Sequence, residues 1–256
     1  MDFLTLKGIQ HTYFTVSSAT TALKDISLEV KEGEFVSFLG PSGCGKTTLL
    51  SIIAGLIQPT NGKVLLENKP VNRAENDIGY MLQQDYLFPW KTIEENILLG
   101  LKINRSLDDH KREQTLSLLR QMGLQNVEAD YPKQLSGGMR QRVALVRTLA
   151  TEPKLLMLDE PFSALDFQTK LKLEDLVSNT LKRFNKTAIL VTHDIGEAIA
   201  MSDRIILFSA SPGTIHKSFP VPSELKKRPP FAARNHPLFN DLFNLIWKEL
   251  ESLEPE

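Results

Sequence analysis

The chain has a single cysteine, Cys44, so no internal disulfide can staple it, and the disulfide-framed classes of small secreted domain are excluded. It lacks a long apolar run. The longest, residues 49–57, is broken by Ser51 and Gly55 and falls well short of the roughly 18–20 residues a membrane span needs. It lacks an excess of either charge: 30 Lys and Arg stand against 31 Asp and Glu. No basic field therefore points to nucleic acid or to an anionic bilayer. The start, Met1-Asp2-Phe3-Leu4, lacks the basic stretch and apolar core of a signal peptide. No internal repeat or low-complexity tract is present. These absences predict a cytosolic chain with no membrane-spanning segment, and they leave docking onto a membrane protein open.

What is present is a globular composition. Of 256 residues, 41% are hydrophobic and 24% charged, enough for one large domain or two small ones with a real core. Residues 3–9 and 22–30 alternate weakly and read as strands, with 15–21 as a loop between them. Residues 35–39 form a buried strand, 63–67 a short strand, and 78–82 an apolar run ending at Gln83-Gln84. From 92 to 151 the spacing becomes helical: Ile93, Ile97 and Leu101, then Leu116, Leu119 and Met122. Short apolar runs at 155–158, 188–192 and 205–208 read as buried strands, with helices over 167–184 and 195–201 between them. This alternation predicts an α/β fold, a largely parallel sheet covered on both faces and interrupted by a helical segment of about 60 residues. Pro220, Pro222, Pro229 and Pro230 around Lys226-Lys227-Arg228 predict an exposed connector, followed by an amphipathic helix over 237–250.

The most informative stretch is Gly40-Pro41-Ser42-Gly43-Cys44-Gly45-Lys46-Thr47-Thr48. It matches G-x-x-x-x-G-K-T/S at every fixed position and lies between a predicted strand and a predicted helix, the context a phosphate-binding loop requires. Its glycines let backbone N–H groups turn inward on an anion, and the helix adds its positive end. Lys46 is placed to reach the β- and γ-phosphates of a nucleoside triphosphate, and the Thr47 hydroxyl to ligate Mg²⁺. Cys44 reads as a small packing residue, yet its place in the loop predicts inactivation by a thiol-alkylating reagent and protection by ATP.

Two further constellations carry chemistry. Residues 155–158 run into Asp159-Glu160-Pro161, a pair of carboxylates at a strand end expected beside the phosphate loop. Asp159 is suited to hold Mg²⁺, and Glu160 to polarise a water for attack on the γ-phosphate. Leu135-Ser136-Gly137-Gly138-Met139 places a candidate N-cap, Ser136, ahead of a long helix and makes a second anion site. One chain has little use for two such sites on one nucleotide, whereas two chains packed head to tail can sandwich it.

Taken together, these motifs identify the chain as similar to the ATP-binding subunits of ABC transporters over residues 3–215, in the family order. The resemblance implies a P-loop NTPase (RecA-like) core with an antiparallel β subdomain and an inserted helical signature subdomain. It divides the chain into an ATPase domain over 1–218, helical at about 91–151, and a C-terminal extension over 219–256 with one amphipathic helix. It assigns Gln83, with Gln84 the rival, to Mg²⁺ and the hydrolytic site, and His193 after the strand to the γ-phosphate. Tyr13, with Phe14 the close second, stacks on adenine. Ser136, Gly137 and Gly138 act in trans on the partner's ATP, and Asp166 of Ser163-Ala164-Leu165-Asp166 communicates across the dimer. The implied cofactors are ATP and Mg²⁺. The implied partners are a second copy or a paralogous ATPase subunit, permease subunits reached through a groove near residues 83–96 and, indirectly, a solute-binding protein, with no nucleic acid. The implied location is cytoplasmic, peripheral on the inner face of the membrane. Pro89-Trp90 and the run from Glu160 to Asp166 look like importers of nitrate, sulfonates, taurine or pyrimidine precursors, a likeness that leaves the cargo open. Soluble ABC-type ATPases acting on nucleic acid or ribosomes, and a non-hydrolysing switch, are the alternatives. The former usually show duplicated cassettes, coiled-coil insertions or basic linkers. Glu160 and His193 weigh against the latter.

Overall fold

Short, mostly apolar runs without alternation make the central strands, because a parallel strand is buried on both faces. The structure is a computed structural model that describes residues 2–71, 77–183, 185–210 and 212–253. The predicted helix end at Phe184 and the outer domain ends, Met1 and Glu256, lie outside the described residues. In chain order the elements are β1 (Asp2–Phe14), β2 (Ala19–Lys31), β3 (Phe35–Leu39), α1 (Lys46–Ile53), β4 (Asn61–Leu66), β5 (Lys69–Pro70) and β6 (Ile78–Met81). The helical segment follows as α2 (Ile93–Ile97), α3 (Leu99–Ile103), α4 (Asp109–Gln121) and α5 (Gly137–Ala150). Then come β7 (Leu155–Asp159), α6 (Phe167–Arg183), β8 (Thr187–Val191), α7 (Ile195–Met201), β9 (Arg204–Ser209), β10 (Thr214–Pro220), α8 (Ser223–Lys226), α9 (Pro230–Ala233) and α10 (Pro237–Glu251).

Two sheets result, one antiparallel in the order β2-β1-β4-β5 and one in the order β10-β9-β3-β8-β7-β6. In the second, β9, β3, β8, β7 and β6 run parallel, and β10 closes the edge antiparallel to β9. The expected α/β fold, with its parallel core, antiparallel subdomain and helical insertion, is the fold observed. Alternate residues of β7 serve different layers. Leu155 and Met157 join α1 and the antiparallel sheet in one apolar cluster, while Leu156 and Leu158 join the helical segment in another. The helical segment starts where Thr92 caps α2, its hydroxyl accepting from Glu95 N and the Glu95 carboxylate accepting from Thr92 N, and Asp108 caps α4 in turn. Among the described residues, no helix is long and apolar enough to cross a membrane.

Strand β8 lies between β3 and β7 in the sheet. Three expectations need correcting. β1 runs on to Phe14 and β2 begins at Ala19, so most of the expected loop belongs to a hairpin. β10 is an extra edge strand, running from Thr214 to Pro220. The proline-rich connector is not simply exposed. It forms α8 and α9, and Leu225 and Ala233 are buried with α7, β9 and α10 in a third apolar cluster.

Candidate nucleotide site

The chain leaves β3 through three residues that need glycine. Gly43 and Gly45 have φ of 78° and 88°, in the left-handed region. A Cβ on Gly45 would stand 2.6 Å from Leu23 Cδ2 and 2.9 Å from the Ala22 carbonyl oxygen, and one on Gly40 would stand 2.7 Å from the Phe208 carbonyl oxygen. Gly45 caps α1 without a side chain, so the helix start is left open on that side. The Lys46 ammonium folds back over the loop, donating to the Gly40 and Pro41 carbonyls at 2.8 and 2.9 Å. It also lies 3.4 Å from Cys44 Sγ. Ser42 and Thr47 are exposed. The Tyr13 hydroxyl is 3.2 Å from Thr48 Oγ1, which ties that ring to the loop helix, whereas Phe14 extends into solvent, 73% exposed. Cys44 is fully buried under the loop. The expected alkylation therefore requires the loop to open first and proceeds slowly even without ATP.

The carboxyl ends of β8, β7 and β6 lie side by side next to this loop. Asp159 closes β7, 2% exposed. Burial pushes its carboxyl up from the usual range and the Glu160 charge adds to this, while the Thr47 hydroxyl and the Lys46 ammonium act against them. Its Oδ2 is buried with no hydrogen-bond partner. Glu160 has φ of 48°, a left-handed conformation costly for a residue with a side chain and typical of functional sites. Three contacts hold it there. Its N–H donates to the Val191 carbonyl at 2.9 Å, and its carbonyl accepts from Ser163 Oγ at 3.0 Å and Gln141 Nε2 at 3.3 Å. The carboxylate itself meets Gln83 Nε2 at 3.1 Å and His193 Nδ1 at 3.3 Å. Gln83, Glu160 and His193, three candidates spread over more than a hundred residues of chain, thus form one cluster.

Ser136, Gly137 and Gly138 form a separate group. Ser136 caps α5, its hydroxyl accepting from Met139 N at 3.3 Å, and the serine is exposed. A Cβ on Gly138 would stand 3.1 Å from Leu165 Cδ2, so that glycine lets the helix start pack against the turn ending at Asp166. Asp166 caps α6 by accepting from Thr169 N at 3.0 Å, and its bonds to Thr169 hold the carboxyl below the usual range. Among the described residues, no hydrogen bond joins residues 136–138 to the phosphate loop.

Sequence reasoning did not assign Gln141 and Ser163, which hold Glu160, nor a clamp on the segment after Gln83. In that clamp Arg140 Nε meets Asp85 Oδ2 at 3.0 Å, and Arg147 donates to the Asp85 and Tyr86 carbonyls at 2.8 Å each. Ser163 follows Glu160 by three residues in the same turn, whereas Gln141, Arg140 and Arg147 act across elements brought together only by the fold.

A glycine loop after a parallel strand, with a buried aspartate and a catalytic-type carboxylate at the end of another strand of the same sheet, defines a P-loop nucleoside triphosphatase. Residues 23–163 match the model of a family described as ABC transporter. The chain is 63% identical over 256 residues to the uncharacterised ABC transporter ATP-binding protein YtlC of Bacillus subtilis, covering 100% of this chain and 98% of that one. It is 39% identical over 242 residues to the taurine import ATP-binding protein TauB of Roseobacter denitrificans, covering 91% and 89%. Among solved structures, the dimeric post-hydrolysis state of the ATP-binding cassette MJ0796 bound to ADP and Pi matches with a TM-score of 0.79 and 35% identity, covering 86% of this chain and 99% of that one. The chain belongs to the ABC transporter family as an ATP-binding subunit, an ATPase coupled to transport.

Proposed function

We propose that the chain energises an importer of a small polar or anionic solute of the sulfonate, taurine, nitrate or pyrimidine-precursor type. The observation that carries the hydrolytic part is the meeting of Gln83 and His193 on the Glu160 carboxylate. Glu160 accepts a proton from the attacking water, Gln83 orients that water, and His193 contacts the γ-phosphate. Lys46 and the amides of residues 40–48 hold the phosphates, and Tyr13 stacks on the base. The hydroxyl of Thr47, the unpartnered buried Oδ2 of Asp159 and the side-chain oxygen of Gln83 suit a hard, oxygen-seeking cation. They would hold Mg²⁺, which neutralises charge on the phosphate oxygens when bound.

Ser136, Gly137 and Gly138 act on the nucleotide of a second copy or a paralogue packed head to tail, with Asp166 at the seam. The similarity to a dimeric cassette and the exposure of Ser136 support this reading. Permease subunits dock near residues 83–96, keeping the chain peripheral on the cytoplasmic face, and a solute-binding protein selects the cargo. Residues 1–218 form the ATPase domain and 219–256 an extension built onto it. The similarity to a taurine import protein, together with Pro89-Trp90, supports the cargo class.

Glu160→Gln tests the assignment. Steady-state ATPase activity falls by roughly 10²-fold or more, while ATP binding and ATP-dependent dimerisation persist. Parental turnover in this variant would remove Glu160 from the role of base. In the parent, activity rises faster than linearly with protein concentration until the dimer is saturated. Co-purification with membrane proteins, followed by identifying the solute held by the associated binding protein, tests the cargo class.

A further inference from the structure

The C-terminal extension is joined to the His193 turn by a chain of charged side chains with buried Glu174 at its centre. Arg234 ends α9, and its guanidinium spans the carboxylate of Glu174 on α6, with Nη2 donating to Oε1 at 3.1 Å and Nη1 lying 2.6 Å from Oε2. Glu174 is fully buried. One turn earlier on α6, Lys170 bridges two residues of α7 and its cap, meeting Asp194 Oδ2 at 2.7 Å and Glu197 Oε2 at 2.8 Å. Asp194 caps α7 with its other oxygen, accepting from Glu197 N at 3.1 Å, and it directly follows His193. The His193 side chain is 68% exposed, so packing does little to hold it, and the Thr192–Asp194 backbone sets where the ring points.

We propose that Arg234 is a positioning residue for hydrolysis, holding His193 against Glu160 through Glu174, Lys170 and Asp194. The proposal rests on the reading of His193 and Glu160 as the hydrolytic pair. The transmission follows from charge in a buried place. A carboxylate as buried as Glu174 requires a cation. Lys170 is four residues away on the same helix face and already attracts it. While Arg234 lies against Glu174, Lys170 is free to bridge Asp194 and Glu197. Without Arg234, Glu174 draws Lys170 to itself, the Asp194 turn loses its second anchor, and the exposed histidine ring loses its register on Glu160. Two more bonds support the extension at the same helix, Phe231 N to Asp175 Oδ1 at 2.9 Å and Lys182 Nζ to the Lys226 carbonyl at 2.9 Å. Docking of the extension and orientation of His193 are therefore one event.

The test measures kcat, KM for ATP and ATP affinity in the full chain, well below the thermal midpoint. Arg234→Ala lowers kcat by about tenfold or more with KM and affinity unchanged, and Arg234→Lys recovers most of the rate. Adding Lys170→Met to Arg234→Ala costs little more, because both act on the same link. If Arg234→Ala does not fold, Arg234→Gln, which keeps the stem and loses the charge, shows the same fall in kcat alone. Parental kcat in the folded variants, or losses at Arg234 and Lys170 that multiply, would overturn the proposal. His193→Ala is the control. If it is inactive while the Arg234 variants are normal, the link fails and the site stands. If it turns over at the parental rate, the reading of the site fails.

Discussion

Two helix starts in this molecule are the candidate anion sites, and they differ in how much their own chain supplies. At α1 the cap is Gly45, with no side chain to occupy the N–H groups, and the same chain adds Lys46, Thr47, Asp159 and Tyr13 around it. At α5 the cap is Ser136, whose hydroxyl takes one helix N–H yet keeps its own proton to donate, and nothing from the phosphate loop reaches it among the described residues. The first is most of a nucleotide site. The second is an exposed fragment, useful when another surface brings a phosphate to it. That asymmetry is what a shared, head-to-tail site requires.

The comparison breaks most visibly at Ser136 and Lys46. Lys46→Ala should abolish ATP binding, whereas Ser136→Arg should keep binding and lose turnover by on the order of 10²- to 10³-fold. A nucleotide-binding titration beside an ATPase assay reads both, and loss of binding in Ser136→Arg would count against action in trans. The glycines sharpen the contrast. Gly45→Ala forces a side chain into the left-handed region and against Leu23, so chemical denaturation should show a loss of about 3 kcal/mol. Gly137 has only the Arg140 guanidinium near its open side, at 3.9 Å, and Gly137→Ala should leave stability within about 1 kcal/mol of the parent.

A third helix start, α7, lies beside the site and carries a pH signature. Glu197 is pushed up to about 7 from an ordinary 4.5, chiefly by burial, with Lys170 opposing and Glu174 and Asp194 adding to the rise. Arg234, the cation of α9, reaches the same cluster through Glu174. The folded chain thus keeps a proton that the unfolded chain releases. The stability Glu197 contributes is present below the unfolded pKa and is lost as pH rises towards 7, by on the order of 3 kcal/mol. Stability curves at about pH 5 and pH 8 should converge with that of Glu197→Gln at the acid end and fall below it at the alkaline end. A constant difference between the two proteins would sink the assignment. A small effect is expected of Ser136→Ala, which removes one cap and should cost about 1 kcal/mol in chemical denaturation.

The site was legible in uneven measure. The phosphate loop could be read because its chemistry is local: a glycine that must be left-handed, a lysine and a hydroxyl within a few residues. The acid pair was visible because two carboxylates end a run of four apolar residues in a chain that already carries a phosphate loop. The order of the strands was not visible. Placing β8 between β3 and β7 is what brings His193 alongside Glu160, and it depends on crossovers that no short pattern records. Strand β10 was hidden because its hydrophobic residues, Ile215 and Phe219, are separated by His216, Lys217 and Ser218 at a sheet edge. The proline-rich tail read as a connector because proline favours turns, while its anchors Leu225 and Ala233 only gain partners once α7 and β9 are in place.

By itself, then, the sequence determined the class of chemistry, because backbone conformation and phosphate recognition are set by residues adjacent in the chain. Only the tertiary structure decided which groups act together. The contacts that hold Glu160 by its N–H to Val191 and its carbonyl to Gln141, and the Arg234–Glu174 pair that ties the extension to α6, join distant segments. Burial gives each of these polar groups a demand for a partner, and the packing of the sheets and helices decides which partner meets it.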